Sequence, residues 1–158
     1  MTVRAIPQGY HTITPSLTIR DAARAIEFYQ RAFGAEVRGI AKTDDGKILH
    51  AEIRIGDSIV MINDEFPEFG ALSPQSTGGT GVTLHIYLEN VDAAFSRALS
   101  AGASVKMPLM DAFWGDRYGK LGDPFGHSWS MATHILDLSP EEMRKAQDEA
   151  FAKMPKSA

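Results

Sequence analysis

The stretch RAFGAEV, residues 31–37, ends an apolar helix pattern at Gly34 and then enters a strand pattern. The same order returns in ALSAGASV, residues 98–105, where a second helix pattern stops at Gly102 before another strand pattern. Glycine directly after the last helical residue is a common C-terminal stop of a helix. The chain therefore contains the same local construction twice, which indicates an internal repeat.

The first copy of this construction begins with one strand and ends with three more. Residues 11–19, HTITPSLTI, alternate polar and apolar side chains, which is typical of a strand with one buried face. A helix pattern runs from Asp21, a good N-cap residue, to Ala35. The apolar pattern then predicts three strands joined by turns short enough for hairpins, over about residues 37–42, 48–55 and 58–63.

The second copy follows a segment of different composition. Residues 65–81, EFPEFGALSPQSTGGTG, are rich in Pro, Gly, Ser and Thr and lack a sustained period, which predicts a surface linker. A strand over 82–89 and a helix over Val91–Ala101 come next. Three strands complete the copy, over about residues 105–113, 117–121 and 128–136. The predicted unit is βαβββ, present twice.

Composition limits the chemistry available to the chain. Its 158 residues fit a single domain, and its net charge of −4 gives no basic footprint for nucleic acid. It has no cysteine, which excludes disulfides, thiolate nucleophiles and cysteine-bound zinc. No segment approaches the roughly 20 apolar residues that span a bilayer. We expect a cytoplasmic protein without a nucleic-acid or membrane partner, whose partners are small molecules or proteins.

A further helix is predicted after the second copy, over residues 139–154. Ser139 can serve as its N-cap, Pro140 suits the first helical position, and Glu142 can close a capping box. Apolar residues on one side indicate that this helix packs on its own domain or covers the seam of a dimer.

The two copies resemble the vicinal oxygen chelate superfamily, which includes glyoxalases, bleomycin and fosfomycin resistance proteins and extradiol dioxygenases. The resemblance is carried by LTIRDAARAIEFYQRAFGAEV, LENVDAAFSRALSAGASV and DPFGH, and it covers about residues 10–145. The stretches FWGDRYG, DPFGHSWSMATH and SPEEM are similar to the PhnB-like, glyoxalase/bleomycin-resistance-like branch.

The resemblance implies an α+β fold. Two βαβββ modules, about residues 10–64 and 82–138, would form an open, cup-shaped mixed β-sheet barrel with helices on the convex face. Linker 65–81 and C-terminal helix 139–154 would complete one domain over residues 1–158. The resemblance also implies a homodimer in which modules pair across subunits, and a small-molecule ligand on the concave face.

Strand alternation identifies the side chains that would line the cup. Residues opposite the apolar positions of their strands are the candidate ligand-binding residues His50, Glu52, Arg54, His85, Tyr87 and Ser130. In the hairpin FWGDRYG, Trp114 can supply a flat wall and Arg117 a planar donor fork for an anionic or carbonyl ligand. Asp116 is expected to stabilise the turn, and the DPFGH turn is expected to be structural.

The superfamily's metal enzymes place His or Glu at four strand positions, because a divalent ion needs several converging lone-pair donors. Carried over from the resemblance, these positions fall on residues that do not form a competent ligand set, Thr14, Met61, Thr83 and Ser130. We therefore predict no superfamily-type metal and no cofactor. A displaced site that uses His85 with His50 or Glu52 is left as an alternative.

Three functions are compatible with these residues. The first is metal-free binding of a small molecule, as in the resistance proteins. The second is a divalent-metal-dependent lyase, isomerase or dioxygenase with the displaced site. The third, acid–base catalysis by His50, Glu52 or His85, would use the same cavity as the first. Missing metal ligands favour binding, and no residue is assigned a catalytic role.

Overall fold

The structure is a computed structural model that describes residues 3–155. The first module comprises β1 (Ser16–Ile19), α1 (Ala22–Phe33), β2 (Glu36–Lys42), β3 (Ile48–Ile55) and β4 (Ser58–Asp64). The connection contains a 3₁₀ turn (Pro67–Phe69) and the short helix α2 (Pro74–Thr77). The second module comprises β5 (Thr83–Tyr87), α3 (Val91–Ala101), β6 (Ser104–Asp111), β7 (Asp116–Gly122) and β8 (Ser128–His134), followed by α4 (Pro140–Ala152).

The two modules form separate four-stranded sheets with the same strand order. The first sheet has the order β1-β4-β3-β2 and the second β5-β8-β7-β6. In each sheet the first strand runs parallel to the last, and the other neighbours are antiparallel. This confirms the predicted α+β fold, a repeated βαβββ unit with mixed, open sheets.

Local sequence signals account for the ends of both long helices. At the start of α1, the Asp21 carboxylate accepts a hydrogen bond from the Arg24 N–H at 3.3 Å. At its end, Gly34 adopts a φ of 67°, which glycine reaches without the steric cost of a Cβ atom. Asn90 caps α3 by accepting from the Ala93 N–H at 3.0 Å. The predicted bounds of α3 are confirmed, and α1 is two residues shorter than predicted at its C-terminus.

Each sheet packs its apolar face mainly on the helix of its own module. The helices α1 and α3 contact each other, and one core joins side chains from both modules. The Trp129 ring of β8 lies 4.7 Å from Phe33 and 5.3 Å from Tyr29 of α1. Each sheet therefore has helices on one face only, as expected, but the helices lie between the sheets. The polar faces are directed away from this shared helical layer.

The DPFGH turn is a structural joint between the modules, as expected. Its Asp123 carboxylate accepts from the Tyr29 hydroxyl at 2.6 Å and from the Trp129 indole N–H at 2.9 Å. The same carboxylate accepts from the backbone N–H groups of Phe125 and His127. His127 also contacts the Thr18 carbonyl oxygen at 3.1 Å.

Several boundaries differ from the prediction. Strand β1 begins at Ser16 rather than at residue 11, because Pro15 has no N–H with which to extend a ladder. Strands β6 and β8 end two residues earlier than predicted, at Asp111 and His134. The linker is not uniformly irregular, since it contains the two short helical turns.

Helix α4 has the predicted capping box. The Ser139 hydroxyl accepts from the Glu142 N–H at 3.3 Å, and the Glu142 carboxylate accepts from the Ser139 N–H at 2.8 Å. No residue of α4 is buried, and its Phe151 ring touches Phe113 at 5.9 Å. The apolar side of α4 is thus only partly covered by the described part of the chain. No helix within residues 3–155 is long and apolar enough to cross a membrane.

Candidate functional site

The polar face of the second sheet is built from rows of paired residues across β5, β8 and β7. In order along the strands, the rows are Thr83–Ser128–Gly122, His85–Ser130–Lys120, Tyr87–Ala132–Tyr118 and His134–Asp116. Paired residues of neighbouring strands point to the same face. This register brings together most of the candidate residues of the second module.

Asp116 lies at the centre of a hydrogen-bond network on this face. It is only 2% exposed. Its Oδ2 accepts from the Tyr87 hydroxyl at 2.8 Å and from the Trp114 indole N–H at 2.9 Å. Its Oδ1 lies 2.8 Å from Nδ1 of His134, whose Nε2 lies 2.9 Å from Asp137. Asp116 is therefore more than the turn residue that the sequence indicated.

These contacts favour an ionised Asp116 beside a protonated His134. Burial raises the pKa of Asp116, but hydrogen bonds from His134, Tyr87 and Trp114 outweigh it, and the net pKa is lowered. Hydrogen bonds to Asp116 and then to Asp137 raise the pKa of His134. The bond to Asp116 also raises the pKa of Tyr87, which keeps that phenol protonated.

Four rings form a continuous aromatic patch, which we define as His85, Tyr87, Trp114 and Tyr118. Trp114 meets Tyr118 edge-on at 5.4 Å, and Tyr118 stacks on His85 at 5.9 Å with 20° between the ring planes. Tyr87 meets His85 edge-on at 4.5 Å. Because Ser130 and Ala132 on the central strand have small side chains, the rings close over them, and both are buried.

His85 carries one of the polar atoms that this patch can offer to a ligand. Its Nδ1 lies 2.7 Å from the Ser130 hydroxyl, which fixes the orientation of the ring. Burial lowers the pKa of His85, opposed in part by the charge of Asp116, so the imidazole is neutral near pH 7. Within residues 3–155, Nε2 of His85 forms no hydrogen bond, so this atom can meet a ligand.

Arg117 is not brought together with the other candidates. Since Asp116 points to the polar face, the next residue points to the helical side. There the guanidinium donates two 2.7 Å bonds to Asp92 of α3 and one 2.9 Å bond to Asp111. These partners raise the pKa of Arg117. The expectation that its donor fork faces the cup is corrected by this placement, and Arg117 instead ties α3 to the second sheet.

The candidate residues of the first module form a separate polar group. Nε2 of His50 lies 3.2 Å from Glu52, and Arg54 donates to Glu36 at 2.6 Å. Hydrogen bonds from Tyr10 and then from His50 lower the pKa of Glu52. In the described part of the chain, no hydrogen bond joins this group to the aromatic patch.

The residues at the superfamily's metal positions do not fit a metal. Thr14 lies outside the strands and donates to the His11 carbonyl at 3.1 Å. Thr83 and Ser130 are bonded to Ser128 and His85, and Met61 offers a thioether that hard divalent ions bind poorly. Residues 3–155 contain no group of three or more His, Asp or Glu side chains placed to hold an ion. The displaced site is not assembled within one chain either, because His85 is not brought to His50 or Glu52.

A cavity of about 1000 Å³ opens between the modules, bordered by the segment ahead of β1, the β3–β4 turn and the free edge of β5, where His85 and Tyr87 of the aromatic patch also line it. We call it the inter-module groove. Its walls include Phe33, Val60, Leu84, Ile86, Ala93 and Trp129. Sequence patterns did not indicate it, because it forms where two separately predicted modules meet.

The sequence interpretation also missed Tyr118 and Lys120. Both alternate with Arg117 and Gly119 along β7, so strand period could have assigned them to the polar face. To make that assignment, one must know that Asp116 points to the polar face. Treating Asp116 as a turn residue left its orientation open.

Residues 10–131 match the family model described as Glyoxalase/Bleomycin resistance protein/Dioxygenase superfamily. The chain belongs to this superfamily. It is 44% identical over 137 residues to the uncharacterised protein Mb0911c of Mycobacterium bovis, an alignment that covers 85% of this chain and 90% of that protein. The resemblance to the superfamily stated from sequence is thereby confirmed.

Solved structures share the superfamily's fold. The PhnB protein of Bacillus cereus has a TM-score of 0.62 at 23% identity, with 78% of this chain and 99% of that chain covered. TnmS3, an antibiotic binding protein of a Streptomyces species, has a TM-score of 0.59 at 18% identity, with 85% and 98% covered. The PhnB-like branch predicted from sequence is represented among these neighbours.

Proposed function

We propose that this protein binds a small planar molecule on the polar face of its second sheet, without a superfamily-type metal. The aromatic patch is the observation that carries the proposal. Trp114 and Tyr87 have already donated their polar hydrogens to Asp116, so the patch offers its rings, Nε2 of His85 and the Tyr118 hydroxyl to a ligand. Stacking on such rings contributes about 0.5–1.5 kcal/mol per aromatic pair beyond area burial.

The network around Asp116 supports binding because it organises the patch before a ligand arrives. Its bonds hold two rings of the patch, Tyr87 and Trp114, which come from different segments, while Ser130 orients His85. A rigid surface loses less side-chain entropy on binding than a mobile one, so more of the contact energy appears as affinity. TnmS3, which has the same fold, is an antibiotic binding protein, and this supports a role in binding an organic molecule.

The proposal includes a homodimer that completes the cup. Within one chain, the polar group of His50, Glu52 and Arg54 and the aromatic patch lie on opposite sides of the helical layer. A single ligand can contact both only if the first module of one copy faces the second module of another. The inter-module groove supports the same arrangement, because its apolar walls and the free edge of β5 beside it are suited to cover by a second copy.

The binding proposal is tested by a thermal-shift screen of flat aromatic and small carbonyl compounds in the presence of a chelator. Planar hits are then titrated by calorimetry against Trp114→Leu and against Phe69→Leu, which removes an exposed aromatic ring from the linker. We expect the dissociation constant to rise about tenfold in Trp114→Leu and to stay unchanged in Phe69→Leu.

Two results would contradict the binding proposal. Equal losses in both variants would show that the patch is not the binding surface. Hits that vanish with chelator and return with Ni²⁺, Mn²⁺ or Fe²⁺ would favour the displaced metal site and an enzymatic role.

The dimer is tested by sedimentation of Ala93→Glu, which places a charge in the groove. Ala23→Glu is the matched control, since both alanines are exposed residues of long helices. We expect the wild type and Ala23→Glu to sediment as dimers at micromolar concentration, and Ala93→Glu as a monomer. A monomeric wild type would refute the dimer.

A further inference from the structure

We infer that the ligand is a planar aromatic acid, whose rings lie on the aromatic patch and whose carboxylate is held by Lys120. This inference rests on the proposed function and names the chemical class of its ligand. No part of the sequence interpretation assigned a role to Lys120.

The register places Lys120 beside the patch and on the same face. It pairs with Ser130, which pairs in turn with His85, so these three residues form one row across the sheet. The neighbouring row contains Tyr118 and Tyr87. Lys120 is partly buried, and within residues 3–155 it forms no salt bridge.

The spacing of the rows fits an aromatic acid. Residues two apart along a strand are separated by about 6.6 Å, which is the distance from the row of Tyr118 to the row of Lys120. A ring that covers Tyr118 therefore places a carboxylate on its neighbouring edge at the lysine row, within reach of the Lys120 side chain. His85 shares that row from two strands away, so its Nε2 can bond a polar group on the far side of the ligand, such as a ring hydroxyl.

The charge of this face favours an anion. Lys106 is a second ammonium group here, because a Cβ atom on Gly122 would lie 2.7 Å from its Cε. Lys106, Lys120 and the protonated His134 stand against the carboxylates of Asp116 and Asp137, three positive charges against two negative ones. These groups leave a small excess of positive charge on this face of a chain whose net charge is −4. A charge-assisted hydrogen bond to an ammonium group is roughly twice as strong as a neutral one.

Calorimetry with three probes in chelator tests the inference: 2-naphthoate, the neutral isostere 2-naphthalenemethanol and the non-planar cyclohexanecarboxylate. We expect the wild type to bind naphthoate at least about tenfold more tightly than either other probe. In Lys120→Gln, naphthoate affinity should fall about tenfold, to the level of the alcohol, while alcohol affinity stays unchanged. Lys145→Gln, an exposed lysine of α4, should behave as the wild type.

Each other outcome overturns a defined part of the account. If the alcohol binds as tightly as naphthoate, the acid class is wrong and the proposed function stands. If cyclohexanecarboxylate binds as tightly, planarity is not recognised. If Lys120→Gln weakens acid and alcohol equally, the lysine only supports the structure. If naphthoate and the alcohol both fail to bind at millimolar concentration, the inference fails, and a screen without any planar hit refutes the proposed function as well.

Discussion

At the scale of single residues, Asp116 shows how a buried charge can be stable and useful. Removing a carboxylate from water costs several kcal/mol unless its lone pairs are satisfied. Here two neutral donors and one imidazole satisfy them, and the same bonds fix Tyr87, Trp114 and His134. One residue thereby stabilises the fold and prepares the aromatic patch.

We expect Asp116→Asn to lower the free energy of unfolding by about 1–3 kcal/mol, because its amide group cannot accept all three bonds. Asp137→Asn is the matched control. It alters the exposed partner of the same histidine and should change stability by less than about 0.5 kcal/mol. Denaturant unfolding measures both values, and equal effects would contradict the role given to Asp116.

The ion pair of Asp116 and His134 should stabilise the fold only over a limited range of pH. The pKa of His134 is raised in the folded state. Its contribution to the stability of the fold is therefore fully present below the pKa of the unfolded state, about 6.5, and is lost as pH rises through the pKa of the folded state. Since the folded pKa of Asp116 is lowered, its contribution is present above about 3.9 and is lost as pH falls through the folded pKa.

The wild type should therefore exceed His134→Gln in stability most clearly near about pH 5.5, and the difference should shrink near about pH 8.5. Unfolding curves of both proteins at the two pH values measure it. A difference that grows with pH would show that the histidine acts as a neutral group.

The sequence patterns did not indicate the roles that Asp116 and Arg117 have in the structure. Gly-Asp between apolar runs indicates a turn, and that signal is local. The partners of Asp116 come from positions 87, 114 and 134, and Arg117 finds Asp92 on a helix. Apart from Trp114, which is only two residues from Asp116, these partners meet only after the sheet has formed, so no local pattern could reveal them. His85 and Tyr87 were placed on the polar face because strand alternation is itself local.

At the scale of elements, the contact between α3 and the second sheet depends on a missing side chain. A Cβ atom on Gly119 of β7 would lie 2.6 Å from the Phe95 ring and 3.0 Å from Leu109. The glycine allows the helix to approach the strand closely, and Phe95 fills the space. Gly39 of β2 has no atom within 4 Å of its Cβ position.

We expect Gly119→Ala to destabilise the protein by about 1–3 kcal/mol, because the ring and the helix must move. Gly39→Ala should be neutral or slightly stabilising, since alanine restricts the unfolded chain and meets nothing in the folded one. Thermal unfolding compares the two variants. A neutral Gly119→Ala would mean that Phe95 has room to move.

The ends of elements were predictable where one residue determines them. Asp21, Asn90 and Ser139 begin helices as caps, and glycines end α1 and α3. The start of β1 was not predictable from alternation, because residues 11–14 alternate without a partner strand beside them. Pairing with β4 begins only at Ser16.

At the scale of the whole molecule, the two modules share one core and should unfold together. Tyr29 of the first module donates to Asp123 of the second at 2.6 Å and lies fully buried. Desolvation raises the pKa of Tyr29, as does Asp123, so this phenol stays protonated.

We expect Tyr29→Phe to lower the free energy of unfolding by about 1–3 kcal/mol, since Asp123 loses a donor in a dry environment. Tyr10→Phe, near the N-terminus, should cost less than about 0.5 kcal/mol. Far-ultraviolet circular dichroism and tryptophan fluorescence should report one transition in all three proteins. Two separate transitions would show that the modules are independent.

Sequence analysis predicted the repeat, the linker and the unit of each module, because these follow from local periodicity. It did not predict that α1 and α3 lie between the sheets. Large apolar side chains such as Phe33 and Trp129 pack across the boundary between the modules, and burial of their surface favours that arrangement. The inter-module groove is a consequence of the same packing.

The most direct test of the binding account is the response of the two tryptophan indole N–H signals to 2-naphthoate in a ¹⁵N-labelled protein with chelator. The chain has only two tryptophans, and one of them, Trp129, is buried in the core. We expect a saturable shift of the Trp114 signal, because its ring belongs to the aromatic patch, and an unchanged Trp129 signal. A Trp114 signal that does not move at saturating naphthoate, or a shift confined to Trp129 beside the inter-module groove, would contradict the binding account.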